Sequence, residues 1–283
     1  MDNPLSFRIL EDVARDLSGE VVSFPTFLDI TFQVRAALKN PNLTVDQLAK
    51  LVGAEPMMSA KVIRMSNSVA MNPSGRAIAD VKSAISRVGM EAVRSVSFAV
   101  AMEQLLGSKK MAAFEGLSHR LWEHSMHVAA LCRVLAKKMA RINPDEAMFA
   151  GLVHDIGVFY LLSRAANFPE LIENKAELHQ LLVEWHDNIG HALLAAMGLG
   201  EDVLVAVQEH EIERPVSEVK TLADVLFVAN KLANTLGGWR DPAFGETVVD
   251  LASLAGVLDA EAIKTLLFES EEEVQSLKAA LTG

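Results

Sequence analysis

The chain has 283 residues, of which 51% are hydrophobic and 22% charged. That balance is too apolar for a disordered chain, and a chain this long buries roughly 75% of the surface it exposes when unfolded, so its core needs no covalent staples. With 26 Lys+Arg against 37 Asp+Glu the formal charge is −11, which argues against general binding to nucleic acid or anionic lipid, because both need clustered cations to displace counterions.

Helical periodicity runs through nearly the whole chain. Residues 1–21, beginning MDNPLSFRILEDVARDL, are expected to hold an N-terminal helix. In Leu28–Leu38 the apolar residues Leu28, Phe32 and Ala36 share one face, with Ile30, Val34 and Leu38 on the neighbouring turn. Thr44 opens TVDQLAKLV with Gln47 three residues on, the pattern of a capping box. Pro56 stands in the first turn of PMMSAKVIRMSNSVAM, where its missing N–H costs nothing. Asn72-Pro73-Ser74-Gly75 reads as a turn; VKSAISRVG stops at Gly89, and MEAVRSVSFAVAMEQLLG runs to Gly107.

A long helix is expected from about His119 to Arg141, ended by Asn143-Pro144, after which DEAMFAGLVHDIGVFYLL begins the next. Further helices are expected over Glu177–Met197, Asp202–Glu213, Glu218–Leu236 and Ala260–Leu281. Pairs such as Val21-Val22 never build an alternating run, so the expected fold class is all-α. The methionines fall at helical spacing among Leu, Val and Ala and read as adaptable core filler.

The single cysteine, Cys132, lies among apolar neighbours; it excludes an internal disulfide and fits a reducing compartment. The N-terminal stretch lacks the basic flank and apolar run of a secretory signal, and no segment approaches the ~18 uninterrupted apolar residues of a membrane span. A cytoplasmic protein with no membrane partner is expected. TVDQLAKLVGAEPMMSAKVIRMSN could pass for a helix-turn-helix, but Lys50, Lys61 and Arg64 are too few for a phosphate-binding face. No GxSxG, phosphate loop or dinucleotide fingerprint is present.

The residues best placed for chemistry are His154-Asp155, set inside the apolar run AMFAGLV-HD-IGVFYLL. An ionised Asp in a packed helix costs several kcal/mol unless it is paired, hydrogen-bonded or metal-bound. Both side chains can face one metal if the helix is slightly irregular, and Ile156-Gly157 leaves room for that. Alternatively the pair is a structural hydrogen bond closing the core. His124 and His127 stand three apart in LWEHSMHVAALC, His186 lies in EWHDNIGHALLAAMGL and His210 in VQEHE. Imidazoles and a carboxylate converging from several helices would make a divalent site. His119, His179 and His191 read as ordinary surface or core residues, Glu209 and Glu211 as a solvated helix face, and Trp239 in GGWRDPAF as exposed.

At this point the motifs together become specific. From Val22 to Leu236 the chain resembles the HDOD family, degenerate relatives of the HD metal-dependent phosphohydrolases. The resemblance rests on FPTFLDITFQVRAALKNPNLTVDQLAKLVGAEPMMSAKVIRMSNS, with Glu55-Pro56 and Asn67-Ser68, on AISRVGMEAVRSV, on GLVHDIG, and on EWHDNIGHALLAAMGL and VQEHE. It implies a multi-helix HD-like bundle with an N-terminal helical lobe packed on it: residues 22–236 as the domain, 22–107 as the N-terminal lobe, 111–236 as the HD-like lobe, and 237–283 as a C-terminal helical extension.

HD enzymes, as the resemblance implies, bind divalent metal through a first His, the His-Asp pair and a distal Asp. The first three fall on His124, His154 and Asp155, whereas Asn230 in VANKLAN occupies the distal place. His186 and His210 resemble the additional metal histidines of the HD-GYP group. Val158 follows Gly157 where that group carries lysine, and EHEIERPVSEVK has no GYP. The resemblance therefore implies a non-catalytic regulatory or output module in bacterial signal transduction, acting on a signalling protein or a small nucleotide ligand. Its cofactor would be none, or a weakly bound divalent metal (Fe, Mn, Ni or Zn). The competing expectation is a metal-dependent phosphohydrolase acting on a nucleotide or cyclic dinucleotide. No motif indicates the oligomeric state.

Overall fold

The computed structural model describes residues 5–19, 29–240 and 249–281. Leu28, the FPTF segment and the DPAF end of the loop after Arg240 lie outside them. The helices in chain order are α1 (Leu5–Leu17), α2 (Asp29–Leu38), α3 (Val45–Gly53), α4 (Pro56–Ser66), α5 (Val81–Val88) and α6 (Met90–Leu106). A 3-10 turn, Ala112–Phe114, leads into α7 (Glu115–Met139), followed by α8 (Pro144–Val153), α9 (Ile156–Ala165), α10 (Pro169–Glu173), α11 (Lys175–Ala196), α12 (Glu201–Glu209), α13 (Leu222–Asn234) and α14 (Ala260–Leu281). No strand occurs among the described residues, and the fold is the expected all-α, HD-like one.

Local chemistry sets the helix ends. The capping box of α3 is present: the Gln47 N–H donates to Thr44 Oγ1 at 3.2 Å and the Thr44 N–H to Gln47 Oε1 at 2.9 Å. Pro56 begins α4 after the extended Glu55. A second capping box, Thr221 with Asp224, starts α13. Its Asp224 carboxyl is held below its ordinary range: burial opposes this, but hydrogen bonds from Thr221, Lys220 and Arg214 outweigh it.

Helix α7 runs through the centre, with α8, α13 and α14 packed along it. Val128–Leu135 of α7 is buried without interruption, so this segment has no solvent face and the 3.6-residue stripe disappears there. Cys132 lies in that segment, and burial pushes its thiol well above the ordinary range, as suits a core residue. Met58 and Met65 are core filler as expected.

The stretch expected as one irregular helix from Asp145 onward is two helices. α8 ends at Val153 and α9 starts at Ile156, with Asp155 as its N-cap at φ −96° and ψ 19°. The two halves pack on different neighbours through glycines. A Cβ on Gly151 would lie 2.6 Å from Ala129 Cα in α7, and one on Gly157 would lie 1.9 Å from the His186 carbonyl oxygen in α11. Pro144–Ala165 is long and apolar enough to resemble a membrane span, but its most apolar stretch is 94% buried in the bundle. The helix break holds His154 and Asp155 at the junction of α7, α9, α11 and α12.

Candidate metal centre

All five sequence-predicted ligands come together, with Asn230 beside them. His124 comes from the middle of α7, His154 and Asp155 from the α8–α9 break, His186 from α11, His210 from the end of α12 and Asn230 from α13. Every one is buried, Asp155 to within 1% of complete enclosure. Its carboxylate is the hub. Oδ2 lies 3.0 Å from His154 Nε2 and 3.9 Å from His124 Nε2; Oδ1 lies 3.6 Å from His210 Nε2 and 3.7 Å from His186 Nε2.

Three histidines are anchored in the same way. Their Nδ1–H groups donate to carbonyls of their own segments: His154 to Gly151 at 2.8 Å, His186 to Leu182 at 2.9 Å and His210 to Val207 at 2.6 Å. A proton held on Nδ1 leaves Nε2 facing the centre as the potential donor atom. His124 differs. Its Nε2–H donates to Asn230 Oδ1 at 3.0 Å, and its buried Nδ1 has no partner.

The electrostatics follow from this enclosure. Although burial works to raise it, Asp155 is held well below its ordinary value by His154, His210 and His186. Burial, then the neighbouring His154, pushes His124 down to about 4, so it is neutral at pH 7. His210 goes the other way: burial opposes its charge, but Asp155 and Glu211 draw it up to about 9. The Nε2 atoms of His154, His186 and His210 and both Asp155 oxygens are buried without a hydrogen-bond partner. A carboxylate ringed by imidazole lone pairs needs a positive charge between them, which either a proton on His210 or a cation supplies.

The donor set suits such a cation. Two overlapping triads, His124–His154–Asp155 and Asp155–His186–His210, each keep their ligand atoms within 4.8 Å of one another. Imidazole nitrogens with one carboxylate are the ligands of zinc, iron, manganese and nickel rather than of calcium. His127 does not join the cluster and is only half buried, and His119, His179 and His191 also lie outside it.

Two expectations need correction. Glu211 is not on a solvated helix face, because α12 ends at Glu209 and the chain turns there. Its Oε2 lies 3.7 Å from His186 Nε2 and is ion-paired with Arg240. His186, His210 and Arg240 hold its carboxyl below the ordinary range even though burial works to raise it. Trp239 is buried, 3% exposed, with its ring edge-on to His186 at 5.7 Å. Projecting α12 to Glu213 hid Glu211, and the Gly237-Gly238 pair before Trp239 resembled an ordinary surface loop. Glu211, Arg240 and Trp239 thus cover the outer side of the histidines, beside a cleft of about 150 Å³ that His210, Asn230 and Lys231 also line.

Residues 24–213 match the HDOD domain family. Solved structures with the same fold include a protein from Shewanella amazonensis SB2B, provisionally named a metal-dependent phosphohydrolase, at 22% identity and a TM-score of 0.67, covering 95% of this chain and 99% of that one. An HDOD domain protein of unknown function from Geobacter sulfurreducens is 21% identical with a TM-score of 0.60, covering 97% of this chain and 93% of that one. A protein from Marinobacter aquaeolei VT8, provisionally named for signal transduction, is 18% identical with a TM-score of 0.65; 98% of this chain matches 66% of that one. No curated protein matches the sequence.

Proposed function

The chain belongs to the HDOD domain family, and from that premise we propose that it is a non-catalytic regulatory module of bacterial signal transduction, acting by binding a partner protein or a small ligand. The observation that carries this reading is the His124–Asn230 hydrogen bond at 3.0 Å. An amide at this place brings no negative charge, so among the described residues the centre has Asp155 as its one deeply buried carboxylate, with Glu211 at its edge already paired to Arg240. The same bond uses the Nε2–H of His124, directing a proton rather than a lone pair at a position where a hydrolase of this superfamily needs a ligand. Val158 is fully buried and apolar, so no lysine stands after the HDIG run to meet a phosphate.

A metal held by His154, Asp155, His186 and His210 would act in this reading as a structural tie between α9, α11 and α12. The chemistry a divalent ion supplies when bound is charge compensation for Asp155 and, in enzymes, acidification of water. The protein's own contribution is fixed in advance: three anchored imidazoles, one carboxylate, and an outer cover of Trp239 and the Glu211–Arg240 pair.

A second reading, a phosphohydrolase acting on a nucleotide or cyclic dinucleotide, is favoured by the orphaned Nε2 atoms and Asp155 oxygens, a constellation costly to keep for no ligand. The experiment that decides is metal analysis after purification without chelators, followed by phosphodiester hydrolysis assays with added manganese or iron. The proposal expects no turnover above that of the Asp155→Ala variant, whatever the metal content. Metal-dependent turnover that disappears in Asp155→Ala overturns it.

A further inference from the structure

A second cavity, of about 300 Å³, lies beside the histidine centre between the start of α7 and the α10–α11 corner. That volume is at the lower end of the range for small-molecule sites. Its walls are mostly apolar, built by Phe114, Leu117, Ile172, Leu178, Leu182 and Trp239, with the imidazole of His179 set among them. No acidic residue lines it among the described residues, although the chain as a whole carries a net charge of −11. At the rim stand the exposed Arg120 and Lys175, neither of which has a carboxylate partner within ion-pair distance among the described residues. The Arg120 guanidinium lies back along α7 over Gly116, its Nη1 at ordinary contact distance from where a Cβ would stand.

Two wall residues are also supports of the centre. Leu182 provides the carbonyl that accepts the His186 Nδ1–H at 2.9 Å, and Trp239 sets its ring edge against the His186 imidazole at 5.7 Å. A molecule filling the cavity therefore lies against two residues that support His186. We propose that this cavity is an effector site for a small amphipathic anion, its apolar body against Phe114 and Trp239 and its anionic head on Arg120 and Lys175, and that occupancy is passed to the histidine centre through Leu182 and Trp239. The apolar body is about ten carbon atoms, in keeping with a site near the bottom of the small-molecule range. The inference rests on the regulatory reading only in naming the ligand an effector; the binding itself requires neither metal nor hydrolysis.

The test is calorimetric titration of the full chain, in the presence of chelator, with decanoate, decyl phosphate and decanol. Saturable one-site binding is expected for both anions, about tenfold tighter than for decanol; the stronger of the two identifies the head group as carboxylate or phosphate. The double variant Arg120→Gln/Lys175→Gln, at two exposed positions, should remove that advantage and leave decanol unchanged. Ala113→Phe, at an exposed position on the rim, should weaken all three. Absence of saturable binding, or an anion preference that survives the double variant, overturns the proposal. Phosphodiester turnover by the metal-loaded protein would overturn the preceding section's reading and leave this one standing, so the two failures are distinguishable.

Discussion

Asp155 concentrates the chemistry of the centre in one side chain. Enclosing an ionised carboxylate costs several kcal/mol unless opposite charge and hydrogen-bond donors surround it. In this protein the surroundings are four imidazoles. Against burial, Asp155 and Glu211 draw His210 up to about 9, so a proton there can supply the compensating charge in place of a cation, whereas burial pushes His124 down to about 4. The tautomers come from the backbone: carbonyls one helical turn back fix Nδ1–H on His154, His186 and His210, whereas Asn230 fixes Nε2–H on His124. Replacing that amide by a carboxylate keeps an acceptor for the His124 Nε2–H and adds an anionic oxygen that a cation can displace the proton to reach. Asn230→Asp should raise divalent-metal affinity by about tenfold or more, worth about 1.4 kcal/mol per decade, as read by competition with a chelator. The same variant without metal should melt at a lower temperature than the unaltered chain, because it buries a second carboxylate. An affinity equal to that of the unaltered protein would mean that position 230 does not face the ion.

At the scale of the element, the decisive feature is the break between α8 and α9. It turns an apolar run into two helices and leaves Asp155 as an N-cap, its carboxylate turned inward among the histidines rather than used to cap its own helix. Glycines let the two halves dock closely on their separate neighbours. At Gly157 the backbones of α9 and α11 touch so closely that a methyl group would fall within bonding distance of the His186 carbonyl. Gly157→Ala must therefore push α9 off α11, and overpacking of this severity costs about 3 kcal/mol or more. Urea denaturation should show that loss as a lower midpoint at unchanged slope. Native stability in this variant would contradict the close approach. GLVHDIG is legible in the sequence as a motif, but its second glycine serves helix contact as well as the irregularity around His154-Asp155.

Over the whole molecule, α14 ties distant parts together. It packs along α4, α6 and α7, burying Leu266, Val274 and Leu277. Lys61, read in the sequence among a few basic residues too sparse to bind phosphate, is fully buried in α4. Its Nζ donates to the Leu281 carbonyl at 2.6 Å and pairs with Glu103 at 3.0 Å. A cation at the end of α14 also meets the negative pole of that helix. Arg133 of α7 joins in, 3.2 Å from Asp145 and 3.6 Å from Glu273, and Lys137 donates to Glu273 at 2.8 Å. Lys61→Met keeps the apolar stem but leaves the Leu281 carbonyl without its charged donor. It should cost about 2 kcal/mol and speed hydrogen exchange in the last turn of α14; unchanged exchange there would show that the helix end is held by packing alone.

The sequence by itself determined the all-α class, most helix limits and the identity of the histidines, because period, capping residues and breakers act over a few neighbouring positions. Thr44 with Gln47, Pro56 and the Ala260–Leu281 helix were readable for that reason. The resemblance of GLVHDIG and its companions pointed to His124, His154, Asp155, His186 and His210 as one group. Only the tertiary structure decided that their donor atoms meet around one carboxylate, that His124 spends its proton on Asn230, and that Glu211, Arg240 and Trp239 cover the cluster. These are relations between side chains as much as 106 positions apart. They depend on which faces the helices press together, and that choice is made by shape and glycine contacts across the bundle rather than by any local run of residues.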